Sequence, residues 1–267
     1  MRYGLWVPNY GVLADLSLLA ELAARSEAAG WDGWFLQGHV VHQRGTEPTV
    51  EPWMALAVAA QATSHIRLGP MVTPLPRRRP WNVARQAATL DRLSDGRAVL
   101  GVGIGSERTP EYREFGEETD LARRAAMLDE GLELLGALWS GSTVHHAGEH
   151  YHVGSIRFEP APVQQPLPVW VAAIWPHQRP LRRANRWQGV FPLGLPGPDA
   201  LAEIAATVGH DKDIVVLGDD HPAREWAAAG AGWWLHPVAP DQPVNDLQAL
   251  VDAGPPKDSA DSREPRP

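Results

Sequence analysis

The sequence contains no cysteine, which removes several kinds of chemistry at once. Without thiols, the chain can form no disulfide bond, no thiolate metal site and no cysteine nucleophile. Basic residues are also outnumbered, because 24 lysines and arginines stand against 32 aspartates and glutamates and the net charge is −8. An acidic balance of this kind argues against a nucleic-acid-binding surface. These shortages exclude thiol catalysis and lead us to expect no nucleic-acid partner.

Long apolar runs are missing as well. No stretch approaches the ~20 consecutive apolar residues that a membrane-spanning helix needs. The first residues run directly into a strand pattern and lack the charged and apolar regions of a signal peptide. We therefore expect a cytoplasmic protein without a membrane partner. Its 267 residues are enough to bury a sizeable core in one domain.

The sequence does contain a regular alternation of strand and helix patterns. The most informative stretch is 66–105, where an apolar run at 66–72 is followed by a loop, a helical pattern at 81–93 and a second apolar run at 98–102. Within the helical pattern, apolar residues recur at the spacing of one helix face. Strands that are apolar throughout are typical of parallel sheets covered on both faces, so this stretch predicts a βαβ unit.

The same alternation continues along the chain and gives eight predicted strands. They lie at 3–7, 31–36, 66–72, 98–102, 168–173, 190–193, 214–217 and 232–236. The predicted helices lie at 16–29, 52–63, 81–93, 121–139, 180–187, 198–208 and 222–229. This pattern predicts a single-domain (β/α)8 TIM barrel over residues 1–252. We also expect a small β-hairpin insertion with strands at 143–147 and 150–153, and a disordered C-terminal tail at 253–267, which is rich in Pro, Asp, Ser and charge.

Ligands of such barrels bind at the carboxyl ends of the strands, so residues in the following loops are the candidates for function. His39 follows the second predicted strand, and an imidazole there can donate or accept a proton near neutral pH. His42 is a second candidate three residues later. The ordinary alternative for both is a solvated loop histidine.

Three other patterns have an ordinary explanation beside a functional one. Arg77, Arg78 and Arg79 precede a helix start and could bind an anion, although a charge run more commonly marks a solvated surface. The segment GVGIGS at 101–106 nearly spells a dinucleotide fingerprint, but it lacks the last glycine and opens no helix. The histidines within 145–152 lie on an exposed hairpin without a supporting carboxylate, so we expect no metal site.

Several segments resemble the luciferase-like monooxygenase superfamily, which contains flavin- and deazaflavin-dependent barrel enzymes. The segments are MRYGLWVPNYG at 1–11, AARSEAAGWDGWFLQGHVV at 23–41, the stretch 66–105, MLDEGLELLGALWSG at 127–141 and PLPVWVAAIWPHQRPLRRANRWQGVFPLG at 166–194. Together they cover most of residues 1–194 in the order that the family has them. The resemblance implies a TIM barrel with oxidoreductase activity.

The resemblance also implies a cofactor and the residues that hold it. It implies a monooxygenase in which reduced FMN and oxygen act on a small organic substrate, with a separate flavin reductase as a possible partner. His39 is the implied catalytic residue and manages one proton. The implied cofactor-binding residues are Trp6, Thr73, Pro74, Gly103, Ile104, Gly105, Ala172, Ala173, Trp175 and Arg179. Family members often have a bulge or a non-proline cis peptide near the position of Thr73.

Departures from the deazaflavin-dependent relatives leave the cofactor open. Those relatives have an Asp before the histidine and often Thr and Glu in the glycine-rich segment, where this chain has Gly38, Ile104 and Ser106. The missing carboxylate would have oriented the imidazole of His39 and favoured its protonated form. Two alternatives therefore stand beside the FMN monooxygenase. One is hydride transfer with the deazaflavin coenzyme F420, and the other is a barrel without redox chemistry that binds a ligand or partner. As in relatives, we expect a homodimer.

Overall fold

The computed structural model describes residues 1–42, 46–209 and 211–256, and its centre is a barrel of parallel strands. The barrel strands are β1 (Arg2–Val7), β2 (Gly33–Leu36), β3 (Arg67–Pro70), β4 (Thr73–Pro74), β5 (Leu100–Gly103), β8 (Val169–Ile174), β9 (Gly189–Leu193), β10 (Asp213–Leu217) and β11 (Trp233–Pro237). Here β3 lies within the third predicted strand at 66–72, and β4 continues it just beyond the predicted end. The order of neighbours is β3-β2-β1-β11-β10-β9-β8-β5-β4. The predicted TIM barrel is confirmed.

Contacts between β3 and β5 close the barrel. Leu68 forms a parallel bridge with Ala98, and its carbonyl accepts the Val99 N–H at 2.9 Å. Nearer the carboxyl ends, β4 pairs with β5, so that Thr73 lies opposite Val102. The two pieces of the third strand are separated by a cis peptide bond between residues 71 and 72. The split strand therefore brings the predicted site residues of β4 beside the end of β5.

Helices cover the outside of the barrel. They are α1 (Leu16–Ala28), α2 (Pro52–Ala62), α3 (Pro80–Leu93), α4 (Leu121–Trp139), α5 (Gln178–Ala184), α6 (Pro198–Thr207), α7 (Ala223–Ala228) and α8 (Val244–Asp252). The α4 helix matches the predicted range because its leucines give a clear periodic stripe and Asp120 caps its first turn by accepting the Arg123 N–H at 2.8 Å. No described helix has both the length and the apolar content to cross a membrane.

The last helix is absent from the sequence prediction, although its signal is visible in the sequence. Leu247 and Val251 are buried and lie four residues apart, as one face of a helix requires. This helix supplies the eighth βα unit and ends at Asp252. Of the tail predicted at 253–267, residues 257–267 lie outside the described residues.

The predicted hairpin is present as β6 (Thr143–Ala147) and β7 (His152–Arg157), which pair in antiparallel fashion. The second strand begins two residues later and ends four residues later than the predicted range 150–153. Glu130 of α4 holds it against the barrel. Its carboxylate contacts His146 Nε2 at 2.9 Å and accepts the backbone N–H groups of residues 150 and 151. The expectation that no carboxylate supports these histidines is therefore wrong for His146, and the contact is structural.

Side chains of the barrel strands alternate between the interior and the layer beneath the helices. The buried interior residues are Phe35, Met71, Val99, Trp170, Phe191, Val215, Trp233 and Leu235. Their rings pack edge to face and fill the barrel, with Trp170 and Trp233 centroids 5.3 Å apart. Half-buried side chains extend this cluster, namely Trp6, Val72, Ala172, Leu193 and Leu217. Because the packed interior leaves no room for a ligand, the carboxyl ends of the strands form the accessible mouth of the barrel.

Candidate active site

The barrel mouth brings together predicted site residues from four strands. Trp6 of β1 donates its indole N–H to the Met71 carbonyl, with 2.6 Å between nitrogen and oxygen. A methyl group on Gly103 would lie 3.3 Å from Ala172 Cβ and 3.4 Å from Val72 Cγ2, so these three residues are neighbours. Since glycine has no side chain, the backbones of β4, β5 and β8 can pack closely at this point. The mouth thus has an apolar, closely packed floor.

Thr73 and Pro74 lie at the edge of this floor and are both buried. The Thr73 hydroxyl has no hydrogen-bond partner among the described residues, although the side chain is 1% exposed. A buried hydroxyl without a partner costs free energy unless a ligand or a water molecule satisfies it. The role of Thr73 in cofactor binding stays a prediction, with which an unpartnered hydroxyl at this position is compatible.

His39 lies at the same rim, beyond the end of β2, and faces a carboxylate that sequence reasoning did not find. Its Nδ1 atom is 3.7 Å from Glu111 Oε2, and the imidazole side chain is 22% exposed while the Glu111 side chain is 3% exposed. The side-chain amide of Asn9, which is fully buried, donates to the backbone carbonyl of His39 at 2.7 Å and so positions the backbone of the histidine. The missing carboxylate at Gly38 is thus replaced by one from a distant segment of the chain.

Gly38 itself has a steric role. A Cβ atom at this position would run into the carbonyl oxygen of Val72. The close approach of the two backbones leaves no space for any side chain, including the aspartate of the deazaflavin-dependent relatives. Gly38 therefore allows the loop after β2 to pack directly against the split third strand.

Arg77 completes the group around Glu111. Its Nη1 is 2.7 Å from Glu111 Oε2, and its Nη2 donates to the Gly38 carbonyl at 3.1 Å. The second carboxylate oxygen accepts the N–H groups of Val40 and Val41. The Arg77 side chain is 4% exposed, so the expectation of a solvated arginine run is wrong for this residue. It holds for Arg79, which is exposed.

Electrostatics keep the Glu111 carboxylate ionised. Burial by itself would raise the pKa of this carboxyl, but contacts with His39, Arg77 and the Val40 N–H outweigh burial and lower the pKa to about 2. The rim therefore carries a permanent negative charge beside the imidazole. Such a charge orients the ring and stabilises the positive charge that proton transfer creates there.

A second buried group lies where β5 ends. The Tyr112 hydroxyl donates to the Ile104 carbonyl at 2.7 Å, and the Arg124 guanidinium carbon lies 4.2 Å from the centre of the Tyr112 ring. Gly105, at φ 77°, packs on the same ring so closely that a side chain would collide with it. Arg124 is fully buried, and its Nε and Nη2 have no hydrogen-bond partner among the described residues, although Nη2 is 3.7 Å from a carboxylate oxygen of Glu107.

The remaining predicted residues are less close to the mouth. Ala173 is buried in the layer under the helices, so only its backbone can face a ligand. Trp175 is half-buried, and its backbone N–H donates to the Leu193 carbonyl at 2.9 Å. Arg179 is exposed on the short helix α5, and His42 stacks on Tyr10 with 3.7 Å between ring centres. Roles in cofactor binding for the first three stay predictions.

The residues that sequence reasoning missed are Asn9, Glu111, Tyr112 and Arg124. Glu111 and Tyr112 belong to the polar segment 106–118, which has no periodicity and several other carboxylates. Arg124 stands in the first turn of α4 beside a second arginine at 123, and only burial distinguishes the two. The pair of buried residues at 111 and 112 has no local signal, because its partners come from other loops.

Comparison with known proteins agrees with this architecture. The family model described as luciferase-like monooxygenase matches residues 2–214. The structure of a coenzyme F420 dependent tetrahydromethanopterin reductase from Methanopyrus kandleri superposes with a TM-score of 0.76 at 15% identity, covering 95% of this chain and 98% of that chain. At this identity the likeness extends to the fold alone.

Two relatives are similar in sequence. An F420-dependent glucose-6-phosphate dehydrogenase from Amycolatopsis mediterranei is 34% identical over 163 residues, which are 59% of this chain and 48% of that protein. An F420-dependent hydroxymycolic acid dehydrogenase from Mycobacterium tuberculosis is 29% identical over 248 residues, or 87% of this chain and 68% of that protein. The chain thus spans about half the length of the first relative.

Together with the family match, the barrel and its mouth identify the chain as a member of the luciferase-like monooxygenase family of oxidoreductases, whose members bind a flavin or a deazaflavin.

Proposed function

We propose that this chain catalyses hydride transfer between a small organic substrate and a deazaflavin coenzyme of the F420 type. The observation that carries the proposal is the imidazole of His39, whose Nδ1 lies 3.7 Å from the buried carboxylate of Glu111 at the rim of an apolar mouth. Oxidation of an alcohol removes a hydride from carbon and a proton from oxygen, so the enzyme needs a base beside the hydride acceptor. The similarity to two F420-dependent dehydrogenases supports this choice.

The mouth fits a flat ring that carries a phosphorylated side chain. Gly103 and Ala172 give the floor a small-residue, apolar surface on which a flat ring would lie, and the Thr73 hydroxyl lacks a partner among the described residues. The buried guanidinium of Arg124, which lies against Tyr112 beside the end of β5, would attract a phosphate through its positive charge. When bound, a deazaflavin supplies a ring carbon that accepts or donates a hydride. Trp6, which anchors the Met71 carbonyl, would support the ring from β1.

The protein residues have three tasks in this scheme. His39 turns Nδ1 toward Glu111, which leaves Nε2 as the nitrogen that accepts the proton of the substrate hydroxyl. The permanent charge of Glu111 stabilises the resulting imidazolium, and Arg77 fixes the carboxylate. Apolar side chains around the floor exclude water from the reacting atoms.

A second candidate is the FMN-dependent monooxygenase, in which reduced FMN and oxygen act on the substrate. The apolar floor favours it, because water exclusion is what oxygenation by a reduced flavin requires. A separate flavin reductase would be a partner of this reaction only. A third candidate, a barrel without redox chemistry, requires that neither cofactor binds.

Binding and turnover together test the proposal. The protein is titrated with FMN and with the deazaflavin coenzyme, each oxidised and reduced, and the fluorescence of each oxidised cofactor and of the protein is followed. Tighter binding of the deazaflavin and anaerobic alcohol-dependent loss of its absorbance support hydride transfer. Tighter binding of reduced FMN with substrate-dependent oxygen uptake replaces it by the monooxygenase. Failure of a folded sample to bind either one contradicts both redox functions.

Two variants localise the proton transfer once an alcohol substrate is found by screening. His39→Gln removes the base, and we expect kcat to fall by 10²–10⁴-fold. His42→Gln is the matched control, because His42 stacks on Tyr10 and contacts Glu47 in place of Glu111. Equal activity of the two variants would contradict the role of His39. Sedimentation of the same samples tests the proposed homodimer.

A further inference from the structure

We propose that a second pocket, outside the barrel, binds a small organic molecule through an oxyanion group, a phosphate or a carboxylate. The pocket has a volume of about 450 Å³ and lies between the start of α3, the first half of α4 and the hairpin. Its polar lining includes Arg77, Arg78, Arg79, Gln86, Glu117 and Tyr151. The volume exceeds that of a single inorganic ion, so an organic ligand fits. Neither the cofactor nor the proton transfer proposed above uses this space.

Unpaired hydrogen-bond donors indicate what the pocket binds. The Nε atoms of Arg77 and Arg78 and the hydroxyl of Tyr151 are buried and have no hydrogen-bond partner among the described residues. The Tyr151 side chain is almost wholly buried at 4% exposure, and burial is the main cause that raises its pKa to about 12, so the phenol keeps its proton. These three buried donors belong to residues that line the cavity, and an oxyanion supplies several acceptors at a time.

The charges around the pocket leave one arginine free for the ligand. Arg77 is paired with Glu111, and Arg78 has a long contact of 3.5 Å with the exposed carboxylate of Glu51. Arg79 has no carboxylate within 4 Å among the described residues and contacts the Trp81 ring at 5.8 Å. Its guanidinium is therefore available to an incoming anion.

The rest of the lining consists of one acidic side chain, Glu117, the two amides of Asn82 and Gln86, and the apolar side chains of Pro76 and Met127. Glu117 is half-buried in the wall, and the arginines of the lining outnumber it three to one. The Gln86 oxygen is buried without a partner in the described structure. Because amide oxygen and nitrogen can exchange places by rotation, Gln86 can also present N–H donors to the ligand. The lining as a whole is richer in donors than in acceptors.

Isothermal titration of the full chain with sodium phosphate at low ionic strength tests the pocket. Arg79→Gln removes the free guanidinium, and Tyr151→Phe removes only the buried hydroxyl. We expect the dissociation constant to rise at least tenfold in the first variant and at least threefold in the second. Arg113→Gln is the matched control, because Arg113 is exposed outside the pocket, and we expect no change there.

The outcomes separate this pocket from the barrel mouth. Loss of phosphate binding in Arg124→Gln together with normal binding in Arg79→Gln would place the anion in the mouth and overturn the proposal. Equal weakening in Arg79→Gln and Arg113→Gln would also overturn it, as it indicates unspecific attraction. Unchanged phosphate binding in both Arg79→Gln and Tyr151→Phe, or no phosphate binding by the wild-type chain, would likewise overturn the proposal. Displacement of phosphate by succinate would identify carboxylates as ligands, and resistance to succinate would identify phosphate esters.

Discussion

Replacing Glu111 by glutamine tests whether the buried carboxylate organises the rim of the candidate active site. The substitution keeps the shape of the side chain and the acceptor for the Val40 and Val41 N–H groups. It removes the negative charge that faces His39 and Arg77. Arg77, with 4% of its side chain exposed, would then be a buried cation without a counter-ion. Such a change is among the more costly single substitutions in a folded protein.

The pKa of Glu111 gives the expected magnitude. The value falls from 4.5 to about 2 on folding, because the contacts with His39, Arg77 and the backbone outweigh the burial that would raise it. A depression of this size corresponds to roughly 3 kcal/mol at neutral pH. Breaking a buried ion pair costs about 3–5 kcal/mol by comparison. We therefore expect Glu111→Gln to lower the free energy of unfolding by about 3 kcal/mol.

The pH dependence has a definite sign. Because the folded pKa lies below the unfolded one, the contribution of Glu111 is fully present above pH 4.5 and is lost as the pH falls toward about 2. Urea unfolding of both proteins across this range measures the difference. We expect the gap between wild type and Glu111→Gln to close as the medium becomes acidic.

Glu114→Gln is the control for this experiment. Glu114 is exposed in the same polar segment, so the same neutralisation there should change the free energy of unfolding by less than about 0.5 kcal/mol. Equal stability of the two variants at neutral pH would refute the argument. A gap that stays constant with pH would refute the electrostatic origin of the effect.

Three further substitutions are checked by the same urea unfolding. Gly38→Ala places a methyl group against the Val72 carbonyl, and we expect a loss of roughly 1–3 kcal/mol, whereas Gly154→Ala, which meets nothing within 4 Å, should be neutral. Arg97→Lys cannot reproduce the five hydrogen bonds of the buried guanidinium, so a loss of roughly 2–5 kcal/mol is expected and wild-type stability would contradict it. Tyr112→Phe removes the hydrogen bond to the Ile104 carbonyl, and we expect the free energy of unfolding to fall by about 1 kcal/mol. An unchanged urea midpoint would contradict this expectation.

Most of the barrel was predictable because its elements carry local periodic signals. The predicted and observed bounds of α4 coincide at 121–139, and the predicted strand at 190–193 differs from Gly189–Leu193 by one residue. The break in the third strand was not predictable, because the apolar run at 66–72 is continuous in the sequence and carries no signal of the cis peptide bond between residues 71 and 72. Helix α8 shows the opposite case, in which a short helical signal with buried Leu247 and Val251 was present but was not recognised.

The site was predictable only in part. His39 and Gly103 follow strands, so their position at the mouth follows from the topology of a parallel barrel. The burial of Arg77 was not predictable, because a run of three arginines is as compatible with a solvated surface as with a pocket. Its two environments, an ion pair on one side and a cavity on the other, depend on loops that come later in the chain.

The sequence by itself determined the alternation of elements, hence the parallel barrel, and the edge at which its ligands bind, because periodicity and turn residues act over a few positions. Only the tertiary structure decided that the carboxylate of Glu111 lies beside the imidazole of His39, and that Gly38 packs against the Val72 carbonyl. Residues so far apart in sequence meet through the packing of irregular loops. Such loops have no repeating pattern, so burial and charge pairing in them emerge only after the whole barrel has closed.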